Sequence, residues 1–249
     1  MISTDLSMKV NWESSFQEQV QRQAYNTAPV EALARTVSYY LRDRVPPLRR
    51  KALHFLEMGC GAGPNLIWLA GQGMTVSGVD ISTSALNLAR ERLINSGFAD
   101  RIGRLLECSV ARTPFEDASF DGIVEACVFQ HLSRADRESA FAEVRRLLRP
   151  GGVFVGYMLN RQHTVFSEKW NEQLPDDPGT LDLHDGKSNL YLTNLGVCHF
   201  FGKQELIDLL QSFSIVDPCE LFYYLPSEEA EKRGYATYLQ SMWTVYAVR

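Results

Sequence analysis

The stretch "LEMGCGAGPN", Leu56 to Asn65, sets glycines at Gly59, Gly61 and Gly63, directly after an apolar run and directly before a proline. Glycine lets main chain approach a ligand closely. The segment therefore reads as strand, tight turn, helix. Reading outward, "ALHFLEM" is a short apolar strand, "NLIWLAGQG" a short helix ended by glycine, and "MTVSGVD" a second strand. In "STSALNLARERLINSG", Ser82 is a candidate N-cap, Leu86, Ala89, Leu93 and Ile94 form one stripe, and Gly97 is the stop. "RIGRLLECS" and "FDGIVEACVF" continue as strands. Phe141, Val144, Leu147 and Leu148 mark a helix stopped by "PGG", and "GGVFVGYML" is a fifth strand. Strands alternating with helices at such short separations predict a parallel sheet covered on both faces and joined by right-handed crossovers.

The flanks behave differently. Residues 11–45 read as two amphipathic helices broken near "NTAP", followed by a linker, "VPPLRRK", whose prolines interrupt helix. We expect residues 1–50 to form a helical lid on a core of residues 51–249. Residues 160–200, with Trp170, "LPDDPGT", His184 and Asp185, have no sustained period and are expected to be a substrate-side insertion. Helical spacing resumes in "GKQELIDLLQSF", and "SIVDPCELFYYL" and "SMWTVYAVR" alternate as two long strands of a closing hairpin.

Composition narrows the partners. The chain has 249 residues and a net charge of -5, the wrong sign for an electrostatic grip on nucleic acid or anionic lipid. No run approaches the roughly 18 apolar residues of a membrane span, and the N-terminal stretch lacks a secretory apolar core, so a cytoplasmic protein is expected. The five cysteines are scattered and never spaced C-x-x-C, which indicates neither a disulfide framework nor a zinc site.

The glycine loop then has to be matched to a ligand. A dinucleotide fingerprint requires G-x-G-x-x-G, but from Gly59 and Gly61 the third position falls on Pro64. A phosphate-binding P-loop requires a following lysine, and no lysine or arginine occurs from Ala52 through Ala89. The segment supplies acid instead: Glu57 ends the first strand and Asp80 the second. Two carboxylates without a cation suit a ligand that offers a ribose and an ammonium group.

"LEMGCGAGPN", "VSGVDIS", "TPFEDASFDGIVEA" and "RLLRPGGVFV", in this order and spacing, resemble class I S-adenosylmethionine-dependent methyltransferases, particularly the small-molecule group called type 11. "HFFGKQELIDLL" extends the likeness. The resemblance implies an α/β Rossmann-like three-layer sandwich with a seven-stranded, mainly parallel sheet whose last strand is antiparallel. It implies S-adenosylmethionine as cofactor and S-adenosylhomocysteine as product. Carried over residue by residue, Gly59, Cys60, Gly61 and Gly63 pass under the methionine moiety, Glu57 holds the ammonium, Asp80 accepts from the ribose hydroxyls, and Ile81 lies against the adenine. Val110 offers a backbone amide to the ring. Ser109 stands where the family usually has an Asp that accepts from the adenine amino group, a departure expected to weaken that contact by about 1 kcal/mol.

The activated methyl group leaves the protein to hold an acceptor in line and, for a hydroxyl, to help remove its proton. His131, just beyond the fourth strand, is the candidate base or acceptor orienter, against the alternative of a histidine packed on or capping the next helix. Glu125 is a candidate pocket residue, Tyr25 and Trp12 candidate lid aromatics. His163, His184, Asp185 and His199 are candidates for lining the acceptor cavity; none has ligand spacing, and no metal is expected. The expected activity is methyl transfer to a hydroxyl, or next an amine, of a small molecule. The alternative is a non-catalytic cofactor-binding subunit on the same fold.

Overall fold

The computed structural model describes residues 4–183 and 196–249. Two helices lead, α1 (Thr4–Arg22) and α2 (Glu31–Arg44), followed by a short 3-10 turn at Pro47–Ala52 in place of a featureless linker. Then come β1 (His54–Met58), α3 (Pro64–Gly71), β2 (Thr75–Asp80), α4 (Thr83–Asn95), β3 (Ile102–Glu107), β4 (Phe120–Ala126), α5 (Arg134–Leu147) and β5 (Leu148–Leu159). The remainder comprises α6 (Thr164–Glu168), β6 (Thr180–Asp182), β7 (Val197–His199), α7 (Lys203–Leu209), β8 (Ile215–Tyr224), α8 (Ser227–Glu231) and β9 (Leu239–Val248).

The main sheet has seven strands in the order β3-β2-β1-β4-β5-β9-β8. The pairs β1–β2, β1–β4, β2–β3 and β4–β5 are parallel, and β9 runs antiparallel to both β5 and β8. The expected seven-stranded, mainly parallel sheet with an antiparallel last strand is what the chain forms, and the terminal hairpin is its edge.

Period-two alternation explains why both faces are covered. Leu56 and Met58 join Phe120, Phe141, Phe154 and Trp243 in one core cluster, while Phe55, Val153 and Val155 join Leu66, Leu93 and Val37 in the other. Neighbours along β1 and β5 therefore bury on opposite sides, one toward α5 and α7, the other toward α2, α3 and α4. A third cluster at the carboxyl end of β5 joins Tyr157 and Leu159 to Phe166, Phe200, Tyr238 and Met242.

Local caps set the helix starts. Ser82 Oγ accepts from the Ala85 N–H at 3.1 Å, as its position before the α4 stripe predicts, and Ser133 caps α5 through Asp136. The segment that lacks periodicity contains α6 and the antiparallel pair β6–β7, each strand only three residues long. Strands that short carry too few residues for an alternation signal.

Candidate functional site

Because β1, β2, β4 and β5 are parallel, their carboxyl ends open on one edge of the sheet, where α/β folds present their ligand crevice. A cavity of about 540 Å³ runs along that edge. At one end it is lined by Glu57, Gly59, Cys60, Gly61, Asp80, Ile81, Ser109 and Val110. Beyond the β4 tip it is bounded by His131, Leu159, His163, Cys198, Arg233, Tyr238, Gln240 and Met242. α1 contributes Met8, Trp12 and Phe16.

The glycine loop is shaped by close approach. Gly59 has φ +78°, and a Cβ there would fall 2.2 Å from Val128 Cγ2 on the loop after β4. Gly63 has φ +74° and faces the Ala89 methyl of α4 at 3.0 Å, outside the cavity lining, so it serves helix packing. Asp80 closes the loop from below: its carboxylate accepts from the Gly61 N–H at 2.8 Å and the Ser82 N–H at 2.9 Å. Burial pushes the Asp80 pKa up, and these amides oppose the shift.

Glu57 is 1% exposed. Its Oε1 accepts from Asn65 Nδ2 at 2.7 Å, while Oε2 has no partner among the described residues. Burial pushes its pKa up to about 8, so this carboxyl holds a proton at neutral pH until a cation arrives. Asn65 also accepts the Val30 N–H at 2.9 Å, tying the start of α2 to the same carboxyl. Asn65 lies within the opening stretch; the signal available was one polar side chain in an otherwise apolar helix start.

Glu125 lies off the cavity lining. Its Oε1 accepts the N–H groups of Val128 at 2.5 Å and Phe129 at 3.1 Å, so it scaffolds the loop that carries Val128 and His131. Burial lifts its pKa to about 7. Tyr25 is also outside the lining, with the Arg92 guanidinium 5.4 Å from its ring centroid, whereas Trp12 reaches the cavity. Ser109 Oγ accepts from the Ala111 N–H at 3.3 Å.

His131 is buried, with the Trp12 ring edge-on at 5.3 Å and the Gln130 amide nitrogen 3.3 Å from its Nε2. The Gln130 side-chain oxygen accepts from the Leu159 N–H at 3.1 Å, which fixes its amide nitrogen toward His131. Burial lowers the His131 pKa to about 4, against a weaker opposing effect of the Val197 backbone, and the ring is neutral at pH 7. His163 lines the cavity and His199 does not: His199 binds Thr180 Oγ1 and Glu205 Oε1, each at 2.7 Å. His184 and Asp185 lie outside the described residues. Among the described residues no cluster could hold a metal, and no helix is long and apolar enough to cross a membrane.

Residues 56–156 match the family described as "Methyltransferase domain". This segment, two fifths of the chain, is a methyltransferase domain. The methyltransferase domain has curated relatives. The chain is 30% identical over 107 residues to a sterol 4-C-methyltransferase of Caenorhabditis elegans, covering 43% of this chain and 31% of that protein. It is 38% identical over 98 residues to methyltransferase GfsG of Streptomyces halstedii, covering 39% and 34% of the two chains. To the ubiquinone/menaquinone biosynthesis C-methyltransferase UbiE of Brucella anthropi it is 33% identical over 112 residues, covering 44% and 41%. The chain thus spans about a third to two fifths of the length of these relatives. In fold it is similar to a Burkholderia thailandensis 1,6-didemethyltoxoflavin-N1-methyltransferase solved with S-adenosylhomocysteine: TM-score 0.62, 15% identity, 100% of this chain and 92% of that one.

Arg233 and Tyr238, in the connection before β9, and Gln240, at the start of β9, escaped the sequence reading because they are distant in sequence from every motif. Glu13 escaped it as well. From α1 it accepts from Ser82 Oγ at 2.7 Å and from Ser84 Oγ at 2.5 Å, at the start of α4.

Proposed function

We propose that the chain binds S-adenosylmethionine across the tips of β1 and β2 and transfers its methyl group to a hydroxyl of a small molecule held beyond β4. An amine acceptor ranks next. The observation that carries this reading is one continuous cavity, which joins the carboxylates Glu57 and Asp80 to a chamber walled by Trp12, His131, Tyr238 and Met242. The residues present fit the cofactor. The buried, unpartnered Glu57 Oε2 suits an ammonium group, the Asp80 carboxylate a pair of ribose hydroxyls, and the Gly59–Gly61 backbone close approach.

When bound, the sulfonium supplies an already activated methyl group. What the chain must add is position and exclusion of water. α1 lies over the cavity with Trp12 and Phe16, which supports the lid role. Of the nearest carboxyls, Glu57 sits at the cofactor end and Glu125 lies off the cavity lining, and His131 is a weak base. A hydroxyl acidic enough to ionise without a strong protein base therefore suits this chamber, with His131 orienting the acceptor rather than deprotonating it.

The test is turnover: S-adenosylmethionine plus a metabolite extract should yield S-adenosylhomocysteine and a product 14 mass units heavier. His131→Ala should keep cofactor affinity within about twofold and lose roughly tenfold to a hundredfold in kcat/KM. Binding without turnover would leave a non-catalytic binder. Methyl attached to carbon, as the names of two relatives describe, would displace the hydroxyl reading.

A further inference from the structure

We infer that the acceptor chamber is built for a flat aromatic acceptor bearing an ionised acidic oxygen, received by hydrogen-bond donors of His163, Arg233 and Gln240. This rests on the proposed function and names its substrate class.

The donor character of each group is fixed by its neighbours. His163 Nδ1 accepts the Val165 N–H at 3.3 Å as the cap of α6, so the ring proton of the neutral imidazole sits on Nε2 and that nitrogen donates. Burial pushes the His163 pKa down to about 4, which keeps the ring in this form at neutral pH. Gln240 Oε1 accepts from the Tyr223 hydroxyl at 2.7 Å, so its amide nitrogen is the end opposite that anchor. Arg233 is the one lysine or arginine among the described cavity-lining residues. Its guanidinium is fixed by Glu229, which stays off the lining, at 3.1 Å and lies 5.6 Å from the Tyr238 ring centroid.

Among the described residues, the carboxylates that line the cavity, Glu57 and Asp80, belong to the other end. They sit at the tips of β1 and β2, while Gln240 belongs to β9, which pairs with the far side of β5. At about 4.8 Å per strand, four steps separate Asp80 on β2 from β9 by roughly 19 Å and three steps separate Glu57 on β1 from it by roughly 14 Å. An oxyanion beyond β4 meets donors and a cation, a charge-assisted arrangement. An ammonium there would meet the same donors, with the Glu229 carboxylate already engaged by Arg233. Trp12, Tyr238, Leu159 and Met242 supply ring faces and aliphatic surface for a planar ring.

The inference is tested by calorimetry on the S-adenosylhomocysteine-saturated chain with three probes: 3-hydroxy-2-naphthoate, its methyl ester, and 3-(aminomethyl)-2-naphthol. The acid should bind at least tenfold tighter than the ester or the amine. In Arg233→Gln and Gln240→Leu the preference should shrink to within about threefold, with S-adenosylhomocysteine affinity retained as the control for folding. Equal or tighter binding of the ester or amine, or a preference that survives both substitutions, overturns it. A chain that ignores S-adenosylhomocysteine sinks the proposed function; one that binds it and shows no preference among the probes sinks this inference alone.

Discussion

Asp80 and Glu57 are both acidic and buried, yet their surroundings give them different tasks. Asp80 accepts two backbone amides and is held oriented; Glu57 takes the Asn65 side-chain amide and keeps one idle oxygen. Asp80→Asn keeps the shape but gives up a charged acceptor, and should weaken S-adenosylhomocysteine binding about tenfold or more by calorimetry. Unchanged affinity would remove Asp80 from the site. Glu57 makes a proton-linked prediction. With its pKa near 8 in the ligand-free chain, an arriving ammonium draws the group into its ionised form, so binding at pH 7 releases a proton and affinity rises with pH up to about 8. Titration at pH 7 in two buffers of different ionisation enthalpy should show that release in the wild type and not in Glu57→Gln. Both acids were legible in the sequence because each ends a strand beside the glycine loop. The idle oxygen was not, since it depends on Asn65 and on surroundings drawn from several segments.

The elements that position the site differ in how plainly the sequence announces them. The alternation of β1 through β5 with α3, α4 and α5 was readable because each carries its own period and stops. The relation of α1 to α4 was not, because it rests on side chains some seventy positions apart, Glu13 with Ser82 and Ser84. Lys9 and Thr83 meet on Glu107 at the same seam. Burial works to raise the Glu13 pKa, but the bonds from Ser84 and Ser82 outweigh it and hold the pKa near 2. The carboxylate also sits at the N-terminus of α4, where the helix dipole favours it. If this latch holds α1 over the cavity, Glu13→Ala should leave the sheet intact, raise hydrogen exchange in residues 8–20, and speed S-adenosylhomocysteine dissociation several-fold. Exchange and dissociation rates equal to wild type would show that α1 is held by packing of Trp12 and Phe16 alone.

Across the whole molecule, buried ionisable groups set a stability profile that follows from the site. His54, His131, His163 and His199 have lowered pKa values through burial, so the unfolded chain binds protons they refuse, and stability rises with pH through about 4 to 6.5. Glu57 and Glu125 act oppositely. Their folded pKa values, about 8 and about 7, lie above the 4.5 of the unfolded chain, so the folded state holds the extra protons. Their contribution is complete below pH 4.5 and is lost as pH rises toward 8. At pH 6.5 each histidine is still half protonated in the unfolded chain, and loss of that proton by pH 8 returns about 0.4 kcal/mol per histidine, which offsets part of the carboxyl effect. From pH 6.5 to 8 Glu57 should therefore cost about 2 kcal/mol, roughly 1.4 kcal/mol for each of about 1.5 pH units. For a chain of this size that is several degrees of Tm, read as the difference between wild type and Glu57→Gln. Ligand-free wild type should melt lower at pH 8 than at pH 6.5, Glu57→Gln should lose less, and saturating S-adenosylhomocysteine should flatten the wild-type slope by placing an ammonium beside the carboxylate. A Tm that holds or rises over that interval, with wild type and Glu57→Gln superimposed, would mean that Glu57 is solvated in solution and that the cavity floor is wetter than its burial implies.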